Sequence, residues 1–177
     1  MRLKDLCPPP RRFRAAGLVE KSALTTQPSF ILTEPRGASP NRQKGINYEK
    51  KVQVYLARTF PGVVVHSPWV RFVSTGSPKF RFCQPDAILF DLRRGIICVV
   101  EVKLSHTSNA WWQVRRLYAP VLAHLFRGPR WRFVSLEIVK WYDPATKFPE
   151  KITILHDLSK VFETEKGFHV HIWNGKQ

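Results

Sequence analysis

Acid is scarce in this chain: 13 Asp and Glu stand against 29 Lys and Arg, a net charge of +16 over 177 residues. Such a field suits a polyanion, nucleic acid foremost, although it says nothing about chemistry and also serves solubility. Cysteine is nearly missing. Cys7, Cys83 and Cys98 are unevenly spaced, which excludes a disulfide framework or a zinc-ligand spacing and fits a reducing cytoplasmic compartment. Long apolar runs are missing too. The longest, Ile96 to Val100, is a strand's length rather than a membrane span's, and Met1 to Pro10 has charges and prolines where a signal peptide needs an apolar core. A soluble intracellular protein without a membrane partner is expected, with one globular domain and a tail.

The tail is residues 1–44. It holds Pro8-Pro9-Pro10 and the basic cluster Arg11, Arg12 and Arg14, while Phe30, Ile31 and Leu32 follow no sustained period. This reads as an extended basic arm with one short ordered piece. It could lie along a phosphate backbone, clasp a second subunit in a homodimer, or be a loosely packed tail. Residues 45–177 then form the domain.

Within the domain, Gln84 to Lys103 carries the argument. Two β-rich runs, Ala87 to Asp91 and Ile96 to Val102, flank Leu92-Arg93-Arg94-Gly95, a connection of hairpin length. With Arg93 and Arg94 at the turn centre, paired positions sum to 187, which sets Asp86 opposite Glu101. Lys103 points to the same face as Glu101, whereas a three-residue loop shifts the pairing by one and spoils the opposition. Both runs are apolar on both faces, as in a covered sheet interior. Two acids buried side by side repel, and a divalent cation removes the objection. Asp86 and Glu101 with a backbone carbonyl offer the hard oxygen ligands that Mg2+ or Mn2+ prefers. Lys103 could orient an attacking water or neutralise charge on a pentavalent phosphate. A solvated hairpin end with an idle Glu101 and Lys103 pair is the other reading.

Pro85-Asp86, a spacer and Glu101-Val102-Lys103 together resemble the PD-(D/E)xK nuclease superfamily, which includes restriction enzymes, Holliday-junction resolvases and phage-type exonucleases. The resemblance covers about Gly45 to Trp141. It implies a restriction-endonuclease-like α/β sandwich, a mixed central β-sheet flanked by helices, and metal-dependent hydrolysis of phosphodiester bonds in DNA. Val102 would add its carbonyl to the metal. The helix before the core sheet often supplies an acid in this superfamily, and Glu49 matches that role, completing the metal's shell or holding its water. Glu49 in a first turn also complements a helix dipole.

The remaining elements follow from periodicity and turn residues. Asn47 is a candidate N-cap for a helix to about Thr59, with Tyr48, Val52, Tyr55, Leu56 and Thr59 as its apolar stripe. Val63 to Val73 reads as a strand ending or bulging near Pro68. Lys79 and Arg81 stand close in sequence to Asp86 and are candidates for flanking phosphates, a solvated loop being the alternative. A helix capped by Thr107 or Ser108 runs to Phe126 and stops at Gly128-Pro129, bent by Pro120. Gln113, Arg115 and Arg116 lie off its apolar stripe, the two arginines as candidate nucleic-acid contacts. Exonuclease-like branches of the superfamily place a glutamine and a tyrosine of this helix at the active site in a QxxxY pattern. Gln113 and Tyr118 are similar but one residue too far apart, so only Gln113 is carried over. Of Trp111 and Trp112, one is expected in the core and one as amphipathic cover, with base stacking the alternative. Arg130 to Trp141 is a strand parallel to that of Glu101. Lys151 to Leu155 and Phe168 to Trp173 are further strands, joined by a helical turn near Leu158 to Phe162. His169 and His171 share a strand face without a third metal ligand, which reads as an exposed edge strand.

The expected function is a Mg2+- or Mn2+-dependent deoxyribonuclease of the kind a phage or mobile element encodes. A non-catalytic nucleic-acid-binding or assembly protein on the same scaffold is the competing expectation.

Overall fold

The protein, described by a computed structural model over residues 16–30, 39–163 and 167–175, is built on a mixed sheet between two apolar cores. Cys7, the prolines and arginines at 8–14, and Ile31 and Leu32 lie outside the described residues. Among the described residues no helix is long and apolar enough to cross a membrane.

The sheet has six strands: β2 (Val63–His66), β5 (Ala87–Asp91), β6 (Ile96–Ser105), β7 (Arg132–Trp141), β9 (Phe168–Ile172) and β8 (Ile152–Leu155), in that spatial order. The β5–β6 hairpin is antiparallel with Ala87 opposite Val100 and Asp91 opposite Ile96, so its pairs sum to 187 as the turn length predicts. Asp91 closes the turn by accepting the Arg93 and Arg94 N–H groups at 3.1 and 3.0 Å. β7 runs parallel to β6, and β9 parallel to β7, with the helical crossover supplying the reversal that parallel pairing needs.

Both faces are covered, which is why β5 and β6 read as continuous apolar runs. One core lies under helix α1 (Pro40–Thr59) and the 3-10 helix Leu158–Phe162, and includes Tyr48, Val52, Leu56, Leu89 and Leu136. The opposite core takes Ile97, Val99 and Val139 from the sheet. Trp111, Val114, Tyr118 and Leu122 join it from a helical stretch of α2 (Ser108–Gln113), a π-helical turn (Val114–Tyr118) and α3 (Ala119–Leu125). Each fully buried Val or Leu contributes roughly 1.5 to 3 kcal/mol, and Val52, Leu56, Val99, Val114 and Leu122 are all at 0 % exposure.

Several expectations are corrected. α1 begins at Pro40 rather than after Asn47: Ser39 caps it, its hydroxyl accepting the Arg42 N–H at 3.4 Å, with Pro40 in the first turn. A Ser-Pro pair is a standard start, but the turns it opens bury nothing before Tyr48, so no apolar stripe announces them. The boundary expected at 44/45 therefore falls inside a helix. Pro68 divides Val63 to Val73 into two strands of different sheets. The second, β3 (Trp69–Ser74), joins β1 (Val19–Thr25) and β4 (Arg81–Cys83) in an antiparallel three-stranded sheet. β1 is tied to α3 by Ser22 Oγ and His124 Nδ1 at 2.6 Å. Trp111 and Trp112 are both core residues at 5 % exposure, their rings edge to face. His169 and His171 are buried, not exposed, because β9 lies between β7 and β8.

Gly95 ends the hairpin turn at φ +63°, and a Cβ there would stand 2.3 Å from the Arg130 carbonyl oxygen. Gly95→Ala is expected to destabilise the fold by at least about 2 kcal/mol, from left-handed strain plus this clash. Urea unfolding measures the loss; an unchanged midpoint would show that the β5–β6 turn is not held against Arg130.

Candidate functional site

A strained residue marks the site's edge. Ser67, at φ 45°, turns β2 toward β3 and gives its N–H to the Asp86 carbonyl at 2.9 Å. Its own carbonyl accepts Gln84 Nε2 at 2.9 Å, and its hydroxyl accepts Gln53 Nε2 at 3.3 Å. The backbone of Gln84-Pro85-Asp86 is thereby fixed just before β5 begins, with Pro85 buried.

From this position the Asp86 carboxylate turns in under β6 and accepts the Val102 N–H at 2.6 Å. Glu101, one step beyond the last hairpin pair, is 2 % exposed. Lys103 Nζ closes on Glu101 Oε1 as an ion pair, while Glu101 Oε2 is buried without a hydrogen-bond partner among the described residues. Burial, then the charge of Asp86, push the Glu101 carboxyl up to about 8, against the pull of Lys103. Asp86 is raised as well, by burial, with the Val102 N–H and Lys103 opposing. Burial works against the Lys103 ammonium, yet Glu101, Asp86 and Glu137 hold it above its ordinary value.

Glu49 reaches the same field from α1. Half-buried, it is raised first by burial and then by Asp86, with Lys103 opposing, so the acid that the helix was expected to supply is electrically coupled to the pair. Gln113 arrives from the other face. Its Nε2 donates to Tyr118 Oη at 3.3 Å, and Tyr118 is held well above the usual phenol range by burial and then by Glu101 and Asp86. The extra residue between Gln113 and Tyr118 is absorbed by the π-helical turn, where the Ala119 N–H bonds to the Val114 carbonyl, five residues back. A wider turn puts residue i+5 roughly where an α-helix puts i+4. Tyr118, set aside on spacing, therefore stands with Gln113 after all.

Two further residues escape the sequence reading. Glu137 pairs with Glu101 in the β6–β7 register, and its carboxylate meets His106 Nδ1 at 2.6 Å, both side chains at 0 % exposure. Phe148 stacks on the His106 ring at 4.5 Å. A lone acid in an apolar strand was the available signal, since Glu137 interrupts its run as Glu101 does.

The expected phosphate contacts are less uniform. Lys79 is exposed. Arg81 lies with its guanidinium 4.9 Å from the Phe72 ring centre. Arg116 is exposed, 6.0 Å from the Trp112 ring. Arg115 is engaged: Glu150 takes its Nε and Nη2 at 2.6 and 2.5 Å and the Trp111 indole N–H at 2.7 Å, so its fork is directed at a carboxylate of the chain. Val102 contributes its N–H to Asp86.

Among the described residues no three His, Cys, Asp or Glu side chains form a metal-binding group. Magnesium sites typically need only one or two carboxylates, the shell being completed by water and phosphate oxygens. Asp86 and Glu101, with an orphaned Glu101 oxygen, fit that donor set. Comparison with models of protein families, with curated proteins and with solved structures returns no match.

A carboxyl that binds its proton more tightly folded than unfolded stabilises the fold at low pH and loses that contribution as pH rises through the folded value. Ion-free protein is therefore expected to lose stability from its ordinary value of 4.5 to about 8 at Glu101, and Glu101→Gln to flatten the loss. Urea midpoints across that window check it; an equal slope in the variant would remove Glu101 as the cause.

Proposed function

We infer that this chain is a divalent-metal-dependent nuclease that hydrolyses phosphodiester bonds in DNA, on a restriction-endonuclease-like sandwich. One observation carries the reading: part-buried Asp86 and buried Glu101 are gathered with Lys103 on one Glu101 oxygen and, among the described residues, no hydrogen-bond partner on the other. Uncompensated carboxylates cost several kcal/mol each when buried, on the order of what a fold can spare, and a cation offsets that cost. Mg2+ or Mn2+ held by Asp86 and Glu101 would withdraw charge from a phosphoryl oxygen and raise the acidity of the attacking water.

The chain's own groups divide the remaining work. Lys103, part-exposed and kept cationic by its acidic neighbours, donates to the phosphoryl oxygen on which negative charge develops. Glu49, whose proton affinity is raised by burial and by Asp86, accepts a hydrogen bond from the attacking water and draws on its proton. Gln113 and the Tyr118 hydroxyl form a polar wall on the helical side that orients the phosphate. Glu137, locked to His106, adds negative field that keeps Lys103 charged. The +16 net charge draws the substrate backbone, so binding weakens steeply with salt.

Plasmid and single-stranded DNA incubated with Mg2+, Mn2+ or EDTA test the reading. Cleavage is expected with either metal and not with EDTA. Asp86→Ala and Lys103→Ala are each expected to slow it by at least about 100-fold while DNA binding persists. Binding with no metal-dependent cutting of any substrate would replace the enzyme by a nucleic-acid-binding or assembly protein on the same scaffold.

A further inference from the structure

Beside the candidate site the surface opens into a groove along α1. Lys44 and Lys51 stand on its helical wall, two turns and about 10 Å apart along the axis. Lys140 and Trp141, at the end of β7, form the facing wall. Past Lys51 and Gly175, which belong to both halves, the floor continues over Trp173 and Tyr55. Each half encloses about 390 Å³. No acid is among the described residues that line it.

Trp141 is 60 % exposed, and the Lys140 ammonium lies 5.0 Å from the centre of its ring. The floor is held firmly: Trp173 stacks on Tyr55 at 4.5 Å and 15°, and its carbonyl accepts the Tyr48 hydroxyl at 2.8 Å. An exposed indole among lysines offers a ring on which an unpaired base stacks while phosphates are neutralised. A duplex spends its base faces on its own stack and leaves an indole without a partner. The groove runs along two elements of the candidate site: Tyr48 lines it and precedes Glu49 in α1, and Leu104 lines it next to Lys103 in β6, on the opposite face of the sheet.

We propose that this groove binds an unpaired strand of nucleic acid along the α1 side of the candidate active site, with a base stacked on Trp141 and the flanking phosphates on Lys44, Lys51 and Lys140. The proposal rests on the nuclease reading for what the strand is held near, and it names the substrate class as single-stranded or frayed.

Fluorescence anisotropy of the full chain in EDTA tests it, with labelled oligo-dT, oligo-U and a duplex of equal length. Single strands are expected to bind tighter than the duplex. Trp141→Ala should weaken single-strand binding about tenfold and leave duplex binding as it was, and Trp141→Phe should restore most of the loss. Replacing Lys44, Lys51 and Lys140 by Gln should flatten the salt dependence. Losses with oligo-dT, oligo-U or both identify the strand as DNA, RNA or either. Unchanged single-strand affinity in Trp141→Ala, or an equal fall for duplex, overturns the groove. The two readings fail separately: wild type that grips single strands through Trp141 but never cuts sinks the nuclease and keeps the groove. Metal-dependent cutting with binding indifferent to Trp141 does the reverse.

Discussion

Like charges forced together by strand pairing are the constraint on which the rest of this structure turns. β5 and β6 pair with sums of 187, and one step beyond the last pair Asp86 and Glu101 come close enough for the charge of one to raise the proton affinity of the other. The neighbouring groups answer that repulsion. Val102 gives its N–H to Asp86, Lys103 leans on Glu101, and the Ser67 corner pins the backbone behind Asp86. A sheet selected for stability alone would place apolar residues of similar volume here, since exchanging a buried ionic group for a hydrophobe is often neutral or stabilising. The acids kept in such surroundings are what the proposed cation site rests on.

The polar network extends farther than the motif. Glu137 lies one strand beyond Glu101, and His106, just past the end of β6, reaches back to it, so titratable groups run from Asp86 before β5 through β6 to β7. Their fields overlap at Lys103, which is pulled upward by three carboxylates while burial pushes it down. Among Asp86, Glu101 and Lys103 the protonation of each depends on the others.

What could be read from the letters was local. The hairpin and its register follow from a four-residue connection between β-rich runs, and β7 parallel to β6 follows from the intervening helix. The acids and the lysine were legible because charge inside an apolar strand stands out. What escaped was set by distant pairing. That β9 lies between β7 and β8 decides the burial of His169 and His171, and no window of sequence contains it. The three-stranded sheet depends on β1 finding β3 some fifty residues away. Arg115 looked free on a helix surface until Glu150 arrived from a loop. The start of α1 was within reach, since Ser39-Pro40 carries the signal, but an apolar stripe beginning at Tyr48 spoke louder.

The widened turn between α2 and α3 means that neighbourhood in space can survive a change of count along the chain. A search written as letters at fixed intervals passes over Gln113 and Tyr118, although their side chains touch. Dropping one residue from Val114–Tyr118 would rewind the ribbon to ordinary pitch and leave α3 presenting Val121 and Leu122 to the core they now fill, because the wide turn spends one residue more on the same arc. The extra residue is thus stored within one turn, at no cost to what packs before it or after it.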